Sequence, residues 1–198
     1  MGSGYDDWDI IYRRYPLRDL PWERGRPRES LVRLVEEGKI SPGRALDPCS
    51  GAGTNDIYLA EKGFAVTAMD ISARAVEYAR EKARASGHRL DLRVGDFTEL
   101  PFADGEFDFV LDSGCFHHVR PEDRGKYVRG VSRVLAQGGR YLLICFSERN
   151  GPAWNHFTAE EIRGLFSDYF EILEMEHSGS VEGDGAVRHF HNALMEKR

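Results

Sequence analysis

The stretch LDPCSGAGTNDIYLA, Leu46 to Ala60, decides how the rest of the chain is read. An apolar lead-in meets small residues and two glycines, then passes into a helical pattern. Glycine loses more conformational freedom on folding than any other residue, so a cluster of them marks a tight turn or a close approach of backbone to a ligand. Gly51 and Gly53 therefore predict a strand-to-helix turn with a ligand on it.

Outward from this turn the pattern alternates. RALDP reads as a short strand and TNDIYLAEKG as a helix closed by Gly63. AVTAMD is a strand whose small and branched side chains suit burial on both faces. SARAVEYAREKARASG is a helix, with Ser72 as N-cap and Ala75, Val76, Ala79 and Ala83 on one stripe. LDLRVGD and FDFVLDSG are strands joined through the turn LPFADGE. PEDRGKYVRGVSRVLAQGG reads as a helix with Pro121 near its start and glycines at its end. RYLLICFS is an apolar strand. Thr158 and Glu161 have capping-box spacing ahead of EEIRGLFSDYF. FEILEMEHS and AVRHFHNALMEK alternate on either side of VEGDG, as a hairpin does. Upstream, Tyr5 to Tyr15 predicts a short helix, PLRDLPWERGRP a proline-broken loop, and ESLVRLVEEGKI a helix ending at Gly38. Strand–helix alternation implies a parallel sheet with helices on both faces. Such sheets bind ligands beyond the carboxyl ends of their strands, where strand order reverses. The glycine turn lies at the end of the first strand and is the expected site.

The 198 residues suffice for one domain with a full core, and 41% hydrophobic with 30% charged residues is a globular composition. A formal net charge of −6 disfavours a nucleic-acid partner, which calls for a basic face. Cys49, Cys115 and Cys145 are an odd, widely spaced set, which reads as reduced thiols in a cytoplasmic protein. No signal-peptide pattern opens the chain, and the longest apolar run, YLLICF, is too short to span a bilayer, so no membrane partner is expected.

A dinucleotide on the turn would call for G-x-G-x-x-G, but Asp56 stands where the third glycine belongs. The chain also lacks room for a separate substrate domain. Asp70, one strand later, suits a ribose-hydroxyl acceptor in either case.

Four segments resemble, in order and spacing, the class I S-adenosylmethionine-dependent methyltransferases: DPCSGAGT from Asp47, AMD ending at Asp70, GDF at Gly95–Phe97, and FDFVLD ending at Asp112. LAQGG before the fifth core strand is similar as well. The resemblance implies an α/β, Rossmann-like three-layer sandwich with a seven-stranded, mostly parallel sheet and an antiparallel last strand. It implies S-adenosyl-L-methionine as cofactor and S-adenosyl-L-homocysteine as product. That cofactor carries a sulfonium, an ammonium and a carboxylate, and acidic strand ends favour a cation. By the resemblance Asp47 helps hold the ammonium, Asp70 accepts the ribose hydroxyls and Asp96 accepts from the adenine amino group. Phe97 offers its backbone amide or an apolar edge, and Cys49, Gly51, Gly53, Ile71 and Asp112 complete the cofactor set. The sequence departs from the common D-x-G-x-G-x-G pattern, because Cys49 replaces the first glycine. It also has DSGC at Asp112–Cys115 where amino-methyltransferases of nucleic acids carry N/D-P-P-Y/F, which argues against methylation of bases.

PWERGRP, Pro21 to Pro27, resembles the P-W-x-x-G-x-P segment of small-molecule methyltransferases of the thiopurine, thiol and halide type. GPAWNHFTAEEI, Gly151 to Ile162, is similar to the same group's segment after the fifth strand. The implied acceptor is a small molecule. Residues 1–43 would form a helical and loop cap over a core of 44–198, as one domain overall. Trp22 would cover the sulfonium, where an aromatic face attracts a cation. Arg26, Cys115, Trp154 and His156 would contact the acceptor. Methyl transfer is an in-line displacement in which alignment does most of the work, and a base is needed only for a protonated nucleophile. A thiol or other soft nucleophile is the leading expectation. The alternatives are an O- or N-methyltransferase with His117 or His118 as catalytic base, and an inactive S-adenosylmethionine-binding regulatory module. Cys115 with the two histidines matches no zinc spacing, so no metal is expected. His189 and His191 alternate on one strand face as surface residues. A monomer or a homodimer is expected.

Overall fold

The structure is a computed structural model that describes residues 7–152 and 155–198. The chain runs α1 (Asp7–Arg14), α2 (Glu29–Glu36), β1 (Arg44–Asp47), α3 (Thr54–Glu61), β2 (Ala65–Asp70), α4 (Ala73–Ser86), β3 (Asp91–Val94) and β4 (Phe107–Ser113). It continues with α5 (Arg124–Val134), β5 (Leu135–Phe146), α6 (Ala159–Phe166), β6 (Phe170–Val181) and β7 (Val187–Lys197). The seven strands form one sheet in the order β3-β2-β1-β4-β5-β7-β6. All pairs among β1 to β5 are parallel, and β7 runs antiparallel to both β5 and β6.

Successive side chains of a strand point to opposite faces, and here both faces are buried. Leu46, Val110 and Leu143 go to one core with Tyr127, Val131, Ile162 and Phe166 of α5 and α6. Their neighbours Ala45, Phe109 and Leu142 go to a second core with Leu31, Leu34 and Leu59 of α2 and α3. Fully burying each leucine of this kind contributes about 1.5–3 kcal/mol. The sheet is thus sandwiched between two helical layers. Among the described residues no helix is long and apolar enough to cross a membrane.

The local signals act where the residue chemistry requires. Ser72 accepts the Ala75 amide at the start of α4, and Thr158 with Glu161 forms a full capping box at α6. Two expectations need correction. LAQGG does not extend α5: the helix stops at Val134 and the segment begins the long strand β5. Leu135 pairs with Phe107 and Arg140 with Phe109, so the intervening residues bulge out, and Gly138 at φ +71° makes that bend. The three cysteines are not all reduced. Cys49 and Cys115 form a disulfide with an S–S distance of 2.06 Å, while Cys145 is free and buried. They are 66 residues apart in sequence, but one follows β1 and the other follows β4. These adjacent strands are where chain order reverses, so the fold brings the two loops together.

Candidate active site

The glycine turn hangs on the end of β2. Gly51 and Gly53 both have left-handed backbone, at φ +54° and +76°. The Gly51 amide donates to Asp70 Oδ2 at 2.8 Å, and the Ser72 amide donates to Oδ1 at 2.8 Å. Asp70 thus fixes the turn and the start of α4 together. A Cβ at Gly53 would stand 2.9 Å from the Ala79 Cβ, so the missing side chain lets α3 and α4 close on each other.

Behind the turn lies a cluster of buried carboxyls: Asp47, Asp56, Asp70 and Asp112. Burial raises all four, and for Asp47, Asp56 and Asp70 neighbouring acids add to the effect. Asp70 and Asp112 are pushed up to about 6 and Asp56 to about 8. Both Asp56 oxygens are buried without a hydrogen-bond partner, and Oδ2 lies 3.8 Å from where a Gly53 Cβ would be. Buried carboxyls without their own counter-ion are a poor design for stability and a good one for a cationic ligand. A cofactor with an ammonium and a sulfonium fits this turn. Asp112 plays another part: its Oδ1 accepts the Cys115 and Phe116 amides and its Oδ2 the Tyr127 and Tyr141 hydroxyls. It shapes the turn after β4 and does not line the cavity.

A cavity of about 270 Å³ opens over the glycine turn. Its roof comes from the N-terminal segment. Trp8, Tyr12 and Trp22 pack edge to face, with centroids 5.4 Å apart for Trp8–Trp22 and 5.9 Å for Tyr12–Trp22. Trp22 Nε1 donates to the Tyr12 hydroxyl at 2.9 Å, and that hydroxyl would lie 2.8 Å from a Cβ on Gly51. Glycine at 51 is therefore required by close approach as well as by backbone angle. The roof is tied to the β6–β7 hairpin: Gly183 donates its amide to Pro21 O at 2.7 Å, and Arg28 makes a two-pronged ion pair with Glu182 at 2.6 and 3.1 Å.

The opposite wall is the segment after β4. The Cys49–Cys115 disulfide joins it to the glycine turn. The His117 ring stacks on Phe146 with centroids 3.9 Å apart and planes 14° apart, and its Nδ1 accepts the Phe146 amide at 3.2 Å. Its carbonyl accepts the Asn155 side-chain amide. Burial holds the His117 imidazole well below its ordinary pKa. The His118 ring lies edge-on to Trp8 at 4.7 Å. It is an exposed residue that also lines the cavity, and desolvation lowers its pKa to about 4.

Of the residues singled out from the sequence, Trp22, Arg26, Cys49, Gly51, Asp70, Ile71, Phe97, Cys115, His117 and His118 line this one cavity. Asp47, Gly53 and Asp112 stand behind its wall. Asp96 lies outside the cavity lining and accepts the Thr98 amide and hydroxyl, both at 2.8 Å. His156 is also outside the lining, within electrostatic reach of Glu161. Trp154 lies outside the described residues. Sequence reasoning missed Trp8, Tyr12, Arg28, Phe146, Glu182 and Phe190, all of which line the cavity. Trp8 and Tyr12 sit four apart on a short helix, a spacing that puts two aromatic rings on one face. Phe146 and Phe190 are direct cross-strand partners of β5 and β7, a pairing fixed by register alone.

The profile of a methyltransferase domain matches residues 45–139, from the first core strand to the start of β5. The chain is 29% identical to a 2-heptyl-1-hydroxyquinolin-4(1H)-one methyltransferase of Mycobacteroides abscessus, over 83% of this chain and 75% of that one. It is 33% identical to an uncharacterized methyltransferase of Schizosaccharomyces pombe, over 60% of this chain and 81% of that one. In fold it matches a solved structure from work on conversion of a disulfide bond into a thioacetal group during echinomycin biosynthesis. That match has a TM-score of 0.87 at 23% identity and covers 98% of this chain and 92% of the other. By the fold, the glycine turn at the end of β1 and these relatives, the chain belongs to the class I S-adenosylmethionine-dependent methyltransferases.

Proposed function

We propose that the protein transfers the methyl group of S-adenosylmethionine to a small molecule whose nucleophilic atom ionises unaided, a thiol or a comparably acidic hydroxyl. One observation carries this reading: among the described residues that line the cavity, the two imidazoles that follow β4 are poor bases. Both imidazoles there are desolvated and weakly basic, and His117 already uses its Nδ1 lone pair. A nucleophile that needed deprotonation would find poor help here.

S-adenosylmethionine supplies an electrophilic methyl group on a positively charged sulfur. Asp70, with lone pairs left after the Gly51 and Ser72 amides, is suited to the ribose hydroxyls. Asp47 and Asp56 supply negative potential behind the turn for the ammonium, and the buried Arg24 Nε, with no hydrogen-bond partner among the described residues, is suited to the carboxylate. Trp8, Tyr12 and Trp22 offer ring faces and edges that exclude water and favour a cation. In the expected division into a cap of 1–43 and a core of 44–198, the described cap residues are clasped to the core through Tyr12 on Gly51 and Arg28 on Glu182.

A second reading, transfer to a hydroxyl or amine with His118 as base, draws on two observations. His118 opens to the cavity, and the relative from Mycobacteroides abscessus is named for a hydroxyquinolinone. The test is release of S-adenosylhomocysteine with benzenethiols, phenols and anilines as acceptors. Turnover with thiols or acidic phenols and none with anilines supports the first reading. Turnover confined to weakly acidic phenols and amines overturns it.

A further inference from the structure

An acceptor that arrives ionised needs a partner for its charge, and His117 has one donor to give. A neutral imidazole carries a single N–H. Nδ1 accepts the Phe146 amide at 3.2 Å, so the proton sits on Nε2. The other tautomer would set two N–H groups against each other. The stacking on Phe146 at 3.9 Å and the Asn155 contact to the His117 carbonyl fix the ring in this orientation.

Nε2 lies beside Gly114. A Cβ at that position would stand 3.6 Å from Cε1 and 3.9 Å from Nε2, and the backbone angle of +95° keeps side chains away from it. Beside the ring, Phe146 and Phe190 pack with centroids 5.2 Å apart, and the Arg28 guanidinium lies over Phe190 at 4.8 Å. The polar groups facing His117 are few. His118 is 4.4 Å away between centroids, Arg28 lowers the basicity of His117 further, Glu182 is held by Arg28, and Cys115 is in the disulfide. His117, Phe146, Phe190 and Arg28 all line the one cavity, so the Nε2–H lies among aromatic rings with a guanidinium nearby.

We propose that His117 is the anion-binding residue of the acceptor site, its Nε2–H donating to the ionised sulfur or oxygen of a planar aromatic acceptor that lies along Phe146 and Phe190. This rests on the proposed function and reverses the role expected of the histidine, from proton acceptor to hydrogen-bond donor. In the transfer the nucleophile's lone pair forms the new bond to the methyl carbon as the bond from that carbon to the sulfonium breaks, its electron pair returning to sulfur. No proton moves. The acceptor's negative charge vanishes, so its hydrogen bond to His117 weakens in the methylated product. The contact is therefore stronger in the ground state than in the transition state, and its loss falls on acceptor binding more than on turnover.

The test uses the full chain saturated with S-adenosylhomocysteine, so no turnover is involved. Two readouts are taken: nitrogen-15 shifts of the His117 ring from pH 5 to 8, and the affinities of 4-nitrophenol as its anion and of 4-nitroanisole. The expected ring is neutral throughout with its proton on Nε2. The wild type is expected to prefer the phenolate over the anisole by about tenfold or more, the worth of one hydrogen bond to a charged group. His117→Phe should abolish the preference, and His117→Gln, which keeps an N–H at a similar reach, should restore part of it. A proton on Nδ1, a ring that charges near neutral pH, or no phenolate preference in the wild type overturns the proposal. S-adenosylhomocysteine binding measured alone separates this result from the function: intact binding with no phenolate preference sinks the role of His117, and absent binding sinks the methyltransferase reading beneath it.

Discussion

Asp70 is the residue on which the candidate site turns, because one carboxyl fixes the glycine turn, holds the amide of the Ser72 cap and lines the cavity. Asp70→Ala should weaken S-adenosylhomocysteine binding by about 2–3 kcal/mol, the scale of lost hydrogen bonds to a charged group; titration calorimetry reads this directly. The buried acids also set a pH dependence. Asp70 and Asp112 at about 6 and Asp56 at about 8 lie above the ordinary carboxylate value, so the folded state holds more protons than the unfolded one between roughly pH 4 and 8. Stability contributed by these groups is therefore greatest on the acid side and falls as pH rises through that window. Melting temperature should drop from pH 5.5 to 8.5, the drop should shrink when the cofactor's cation is bound, and Asp56→Asn should raise the melting temperature at pH 8. A rise with pH in the wild type would contradict this. Much of this chemistry was legible in the sequence, since Asp47, Gly51, Gly53 and Asp70 occupy fixed places around one turn. Asp112 was legible only as a place: that two tyrosines from α5 and β5 would claim its carboxylate depends on packing between distant elements.

At the scale of elements, strand and helix assignments followed from periodicity and capping, and the exception is instructive. LAQGG carries helix-ending glycines, yet pairing of Leu135 with Phe107 wins and the segment becomes strand. Contacts between elements were illegible for the same reason: nothing local in the sequence states that Cys49 meets Cys115 or that the hairpin tip meets Pro21. Both contacts make predictions. Closing a 66-residue separation, the disulfide contributes about 4 kcal/mol by the chain-entropy account. Reduction with a phosphine should lower the melting temperature, and Cys49→Ser should lower it equally without any reductant. At the hairpin tip, a Cβ on Gly183 would lie 3.0–3.1 Å from three carbonyl oxygens of Leu20, Pro21 and Glu23. Gly183→Val should push the tip off the N-terminal loop at a cost of about 1–3 kcal/mol. Affinity for S-adenosylhomocysteine should fall while the far-ultraviolet spectrum stays unchanged; an unchanged affinity would show that the clasp does not serve the site.

At the scale of the whole molecule, the sheet order brings the glycine turn after β1 and the segment after β4 to one cavity, and the N-terminal segment roofs it. The fold and cofactor class were readable because they rest on short motifs in sequence order. The rest of the cavity lining was not, because Trp8, Arg28, Phe146 and Phe190 come from four separate stretches of chain and meet only in three dimensions. The proposed acceptors are nucleophiles that ionise unaided. The measurement that tests this most directly is the pH dependence of kcat/KM for a series of para-substituted benzenethiols and phenols of graded acidity. The midpoint is expected to move from acceptor to acceptor with the acceptor's own pKa. A midpoint fixed at one pH across the series would mean that a group on the enzyme takes the proton, and would contradict this reading.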